Sequence, residues 1–202
     1  MTAHIAAPRL DTAAPAAKHR LFPGWPWAAV GLAFPIAGYL GWAVGGPVDA
    51  VGAALIGGAF TGAGLGAVQW WAARDALGHP GAWISSSAIG YAAGLAAGAA
   101  LVGYRTDPGD LAIMGLVSGA VLGVAQGLVL ARQGRRRLAV PWALAMPALL
   151  ALGWCASTAI GISVEDHFTV FGAAGAVVFT LLSGVLLARF TRDSDQKAKT
   201  SS

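Results

Sequence analysis

The chain has 202 residues, of which 56% are hydrophobic and only 11% are charged, and its formal net charge is +4. Soluble domains carry roughly 25% charged residues because their surface must be solvated, so this composition excludes an ordinary soluble protein. Glycine accounts for 29 residues, about twice its average share of roughly 7%. Together these features are typical of an all-α polytopic membrane protein, whose first partner is the lipid bilayer.

Six apolar stretches follow one another along the chain, and none contains Lys, Arg, Asp or Glu. Each has about 20 residues, which at ~1.5 Å per residue cross a hydrocarbon core of ~30 Å. Backbone groups in lipid must be paired within their own segment, so the stretches are predicted to be helices. In chain order the predicted spans are Trp25–Val44, Val51–Ala72, Trp83–Val102, Leu111–Leu130, Val140–Ile160 and Thr169–Leu187.

Polar segments flank the predicted six-helix domain, which takes residues 23–190. Residues 1–22 and 191–202 are predicted to be disordered cytoplasmic tails. Cys155 is the only cysteine, so the chain has neither an internal disulfide nor a cysteine-based metal site. No motif in the sequence indicates a metal, a cofactor or a nucleic-acid partner.

The basic residues predict the orientation of the chain in the membrane. Twelve of the 13 precede the first span or follow an even-numbered span, and Arg105 is the exception. The positive-inside rule then places both termini in the cytoplasm, and the expected location is a bacterial plasma membrane. Tryptophans at the same predicted ends are interpreted as an aromatic belt at the headgroups, not as a ligand cage. These are Trp25, Trp27, Trp70, Trp71, Trp83 and Trp142.

Small residues recur every four positions on the even-numbered spans, and each ladder begins 57 residues after the previous one. Arginines after the even spans, acids in the outer loops and tryptophans at the start of the odd spans recur at nearly the same interval. The pattern predicts three tandem helical hairpins, at about 23–75, 80–133 and 139–190. The ladders are Gly58, Gly62 and Gly66, then Gly115, Gly119, Gly123 and Gly127, then Gly172, Ala176, Thr180 and Gly184.

Residues four apart share one face of a helix, and small ones let two backbones approach closely, as in a glycine zipper. The three small-residue faces are expected to meet on a pseudo-threefold axis along the membrane normal. The even-numbered helices would then lie inside, and the odd-numbered helices would surround them.

A second stripe runs beside each ladder and predicts layers along that axis. It has two interpretations, which are hydrogen bonds that hold helices together and a narrow path with an apolar gate. No ionisable group lies in the stripe, which argues against a proton relay. The predicted layers are Gln69, Gln126 and Ser183 toward the cytoplasm, Leu65, Leu122 and Phe179 in the middle, and Thr61 and Ser118 toward the outside.

The leading functional hypothesis is a non-catalytic packing or assembly module that binds a membrane-protein partner or a second copy of itself. The alternative is a channel or carrier for a small neutral or weakly polar solute along the axis. A second alternative is an intramembrane serine hydrolase. The segment Gly115-Leu116-Val117-Ser118-Gly119 can be compared with the Gly-x-Ser-Gly motif on the fourth span of rhomboid proteases. Its spacing differs, however, and the nearest histidine, His167, falls at the outer mouth of helix six.

Overall fold

The structure, a computed structural model, describes residues 25–159 and 175–189, and this part of the chain is all-helical. The predicted tails and Gly172 lie outside the described residues. The helices are α1 (Trp25–Gly45), α2 (Val51–Leu77), α3 (Pro80–Leu101), α4 (Pro108–Arg132), α5 (Arg136–Ala159) and α6 (Gly175–Arg189).

Five of the six predicted spans coincide with α1–α5, each long and apolar enough to cross a membrane. The described part of α6 is apolar but shorter, and the start of the sixth predicted span lies outside it. Pro80 and Pro108 lie at the start of α3 and α4. The backbone N–H groups there have no acceptor within the helix, so proline, which lacks this group, loses no hydrogen bond. Gly78 and Gly134, both at a φ of +78°, let the chain turn after α2 and α4.

The helices pack as a ring in chain order. Among α1–α5, the extensive backbone contacts join consecutive helices. The ring closes through α6, since Gly175 lies against Gly153 of α5, and the indole Nε1 of Trp27 in α1 donates to the Thr180 carbonyl at 3.1 Å. The even-numbered helices therefore take places in this ring and do not form the predicted inner bundle.

The glycine ladders of α2 and α4 do not face each other. A Cβ placed on Gly58 would lie 2.8 Å from the Cα of Ala92 in α3, and one on Gly115 would lie 2.8 Å from the Cα of Ala151 in α5. The expectation that the ladders meet on a common axis is wrong for these two helices, because each packs on the odd helix that follows it. The same α3 contact is made by Gly62 and Gly66, and the same α5 contact by Gly119, Gly123 and Gly127.

The physical reason lies in the geometry of close packing. Three helices around an axis leave a gap on the axis, and side chains have to fill it. A helix face without side chains packs well only when another backbone lies directly against it. Atoms that border an unfilled space lose their van der Waals contacts on that side. Glycines of the odd-numbered helices also allow close backbone contact, at the interface with the even helix of the same hairpin. Gly94 of α3, for example, lies against Ser118 of α4.

One end of the ring, here called the basic end, carries the turns at 78–79 and 133–135. The Arg135 Nη1 donates to the carbonyl oxygen of Asp75 at 2.5 Å and so ties these two turns together. This contact places the C-terminal ends of α2 and α4 side by side, as the distribution of basic residues predicts.

The opposite end, here called the acidic end, carries the loops at 46–50 and 102–107. Its basic residue, Arg105, forms a two-pronged ion pair with Asp110, with nitrogen–oxygen distances of 2.9 and 3.1 Å. The hydrogen bonds that Arg105 donates to the Asp110 carboxylate raise the pKa of the Arg105 guanidinium. The ion pair balances the charge of Arg105 locally, but the positive-inside rule counts basic residues, so Arg105 remains the exception to it.

The orientation can be tested with a single cysteine in a Cys155→Ala background. Gly109→Cys places an exposed thiol at the acidic end, and Arg136→Cys places one at the basic end. We expect a membrane-impermeant maleimide to label the first variant in intact cells, and the second only after the membrane is opened. The reverse pattern would invert the topology.

Candidate functional site

Three tryptophans meet inside the ring near the basic end, and they are called the tryptophan cluster below. Trp27, Trp83 and Trp142 come from α1, α3 and α5 and are 0% exposed. The ring centroid of Trp142 lies 6.5 Å from that of Trp27 and 5.8 Å from that of Trp83, both edge-to-face. The interpretation as an aromatic belt is therefore wrong for these three residues, whereas Trp25 and Trp71 remain exposed.

A hydrogen-bond network lies against the tryptophan cluster. The Gln126 Nε2 donates to the Ser87 Oγ at 2.8 Å and to the Gln69 Oε1 at 3.3 Å. The Gln126 Oε1 accepts from the Trp142 Nε1 at 2.8 Å. The side chains of Gln69, Ser87 and Gln126, called the polar network below, thus join α2, α3 and α4 and reach α5 through neutral groups.

The sequence pattern paired Gln69 with Gln126 and missed Ser87 and Trp142. Both missed residues lie on odd-numbered helices, outside the stripe that the repeat singled out. One signal for Ser87 was present, because the run at 85–87 places three hydroxyls in an otherwise apolar span. A polar side chain at such depth is expected to find a partner on a neighbouring helix.

The remaining residues of the stripe are buried but make different contacts. The Ser183 Oγ donates to the Phe179 carbonyl at 2.6 Å, within its own helix. The Thr61 Oγ1 donates to the carbonyls of Gly57 at 2.8 Å and Ala37 at 3.3 Å. Among the described residues, Gln69 and Gln126 are the only two layer residues whose side chains hydrogen-bond to each other. The buried members are Thr61, Leu65, Gln69, Ser118, Leu122, Gln126, Phe179 and Ser183.

Two buried donors beside the polar network have no acceptor within the described part of the chain. They are the Gln69 Nε2 and the Trp83 Nε1, on residues that are 0% exposed. A buried donor without a partner costs about 1–3 kcal/mol. An oxygen lone pair brought within reach of either donor would remove this cost.

A partly open cleft lies between α1, α2, α3 and α5 and extends to the acidic end. A second, smaller cleft shares Phe34 and Trp154 with it and extends toward α6. Neither is lined by the tryptophan cluster or by the polar network, so these two cavities stop short of the basic end. The cleft is lined by Phe34, Gly38, Gly41, Trp42, Gly46, Val48, Gly57, Thr61, Tyr91, Leu95 and Trp154.

Ser118, the candidate nucleophile, is fully buried in α4, and its Oγ has no hydrogen-bond partner among residues 25–159 and 175–189. The histidine of this part of the chain, His79, precedes α3 at the basic end, and His167 lies outside the described residues. A serine hydroxyl needs a base within hydrogen-bond reach to attack a carbonyl. The described residues also hold no group of three or more side chains suited to a metal ion.

The apolar helices and the uncharged interior fit the class of multi-pass helical membrane proteins. Comparison of the chain with protein-family models, with curated proteins and with solved structures gave no match. Its function therefore has to follow from its own geometry.

Proposed function

We propose that this protein is a non-catalytic membrane module that packs against a partner membrane protein or a second copy of itself. The observation that carries this proposal is the buried, uncharged plug formed by the tryptophan cluster and the polar network. Such a plug leaves no room for an aqueous path at the basic end and offers no group for proton transfer. A sealed body of this kind acts through its surface.

Contacts within the three predicted hairpins support their origin as tandem copies. Each contact joins an odd helix to the next even helix, and each follows the previous one by 57 or 59 residues. Equivalent positions thus meet in all three hairpins. The pairs are Ala37 with Thr61, Gly94 with Ser118, and Gly153 with Gly175.

Contacts between hairpins recur in the same register. Each joins an even helix to the odd helix of the next hairpin, and the last one brings α6 back to α1. This recurrence supports a pseudo-threefold axis, with each ladder turned toward the neighbouring hairpin. The pairs are Gly62 with Ala88, Gly119 with Pro147, and Ala176 with Gly31.

The proposal includes an orientation. The basic end faces the cytoplasm, both termini lie there, and the host membrane is a bacterial plasma membrane. The support is the positive-inside rule, because 12 of the 13 basic residues precede the first predicted span or follow an even-numbered one.

Two measurements on the wild-type protein test the module. In proteoliposomes, we expect glycerol and potassium fluxes equal to those of empty liposomes, because the interior is plugged. In native membranes, we expect a photoreactive amino acid at Leu32 or Leu144, which are 71% and 74% exposed, to give a discrete crosslinked species. The buried Leu150 serves as the control position. A protein that crosslinks only to lipid at both exposed positions is not an assembly module.

A carrier for a small neutral solute is the second candidate, and the unpartnered Gln69 Nε2 and Trp83 Nε1 favour it. In this case the cleft is the entrance, and the tryptophan cluster must part during transport. If wild-type glycerol flux exceeded that of empty liposomes and a folded Gln69→Leu, Gln126→Leu double variant lost this flux, the protein would be a carrier and not a packing module. Circular dichroism and gel filtration check that the double variant is folded.

A further inference from the structure

The turn between α4 and α5 concentrates positive charge at the basic end. It contains Arg132, Arg135, Arg136 and Arg137, and no acidic residue lies among them or in the first turn of α5. Among the described residues, Asp75 is the one acid at this end, and it forms no salt bridge with these arginines. Its carbonyl oxygen holds Arg135, whereas Arg132 and Arg136 are exposed and make no side-chain bond to the described chain. The protein itself therefore does not neutralise this charge.

Each of these two exposed arginines ends an outward-facing stripe of apolar residues. On α4, the exposed Val124 and Leu128 precede Arg132 at intervals of four residues. On α5, the exposed Val140 follows Arg136 at the same interval. Residues four apart lie on one face of a helix. Because α4 and α5 are in backbone contact along the ladder of α4, the two stripes lie side by side on the outside of the ring.

The other two exposed arginines of the basic end have a different setting within the described chain. Arg74 lies beyond the kink of α2 at Ala73 and is followed by Asp75. Arg189 ends α6, and α1, the next helix in the ring, begins at Trp25. Paired arginines that end adjacent apolar stripes are thus a feature of the α4–α5 turn.

We propose that the α4–α5 turn binds an anionic phospholipid, with its phosphate at Arg132 and Arg136 and an acyl chain along Val124 and Leu128. A guanidinium matches a phosphate in charge and in hydrogen-bonding geometry. A phospholipid supplies the anion and the apolar chain together, at the depth where the helices leave the bilayer. A soluble phosphate would use the arginines alone. The assignment does not depend on whether the protein is a module or a carrier.

The test uses the whole chain in liposomes of equal parts phosphatidylglycerol and phosphatidylcholine with identical acyl chains. A photoreactive amino acid at Leu128 captures the lipid one helical turn from Arg132, and mass spectrometry identifies the adduct. We expect phosphatidylglycerol to exceed phosphatidylcholine at least about fivefold, the contribution of one basic residue near an anionic headgroup. At Leu116, an exposed position of α4 nearer the acidic end, the two adducts should be equal. Equal adducts at Leu128 overturn the proposal.

Two double variants of equal charge locate the site. Arg132→Gln with Arg136→Gln should remove the preference at Leu128. Arg74→Gln with Arg189→Gln takes the same charge from the same end and should leave the preference unchanged. All four arginines are exposed, so both variants are expected to fold, which circular dichroism and gel filtration check. A preference that survives the first pair, or that the second pair also removes, would show that the turn is not a specific site.

Glycerophosphoglycerol, the same headgroup without acyl chains, separates a lipid from a soluble phosphate ester. Added in excess, it should not reduce the phosphatidylglycerol adduct at Leu128, because it cannot occupy the apolar stripe. Loss of the adduct would assign the arginines to a soluble anion and overturn the proposal.

Discussion

Replacing Trp142 by alanine is expected to destabilise the protein by about 3–5 kcal/mol, the range for large-to-small changes of a buried aromatic residue. Trp142 is 0% exposed and contacts both other members of the tryptophan cluster. Its indole also supplies the donor for the Gln126 Oε1 at 2.8 Å. Alanine therefore leaves a cavity at the centre of the ring and an amide oxygen without its partner.

Unfolding of the purified protein in mixed detergent micelles, titrated with dodecyl sulfate, measures this loss. Trp142→Phe separates the two contributions, because it keeps most of the ring packing and removes only the hydrogen bond, worth about 1 kcal/mol in a membrane interior. The matched control is Trp25→Ala, at a residue that is 75% exposed, where we expect a change within about 0.5 kcal/mol. Equal losses at Trp142 and Trp25 would contradict a buried plug.

The second large effect is expected at Gly119, where even a methyl group has no room. A Cβ at this position would lie 2.6 Å from the Cα of Pro147 in α5, and the Met146 carbonyl oxygen is closer still. Both obstacles are backbone, so no side-chain rotation can relieve the clash. We expect Gly119→Ala to cost about 3 kcal/mol, the upper end of the usual range for overpacking, because α4 and α5 must separate.

Gly109→Ala is the control in the same helix, since a Cβ there meets nothing within 4 Å. At this position alanine should be neutral or should stabilise by up to about 1 kcal/mol, through the lower entropy of the unfolded chain. The same titration compares the two variants. If Gly119→Ala were as stable as Gly109→Ala, the ladder of α4 would not be in backbone contact with α5.

Much of the helical architecture could be predicted from the sequence. In lipid, an apolar stretch of about 20 residues has to form a helix, and this helix is long enough to cross the hydrocarbon core. The helices α1–α5 therefore fall close to their predicted positions. The ends differ by a few residues. Arg132 lies inside α4, because a charge ends the apolar stretch without ending the helical hydrogen bonds. In α2, by contrast, the backbone is kinked at Ala73, and Arg74 lies in the turns that follow the kink.

The candidate site was only partly predictable. The repeat singled out Gln69 and Gln126, because these two amides lie at equivalent positions of two apolar spans, where polar side chains are rare. The structure confirms that they are hydrogen-bonded to each other. The role of Ser87 could not be assigned, since it depends on which helix packs against α3. The cleft could not be predicted from the sequence, because a space between helices is a property of several helices together.

By itself, the sequence determined the membrane class, the helical spans and the faces on which small residues lie. These follow from local rules of length, hydrophobicity and spacing. Only the tertiary structure decided which helix each face contacts. A stripe of small residues indicates that the backbone of another helix comes close, but it does not indicate which helix this is. Trp25 and Trp27 differ for the same reason, since two residues correspond to about 200° around a helix. The depth of a residue in the membrane can be read along the chain, but the helix packing decides whether its side chain faces lipid or the interior.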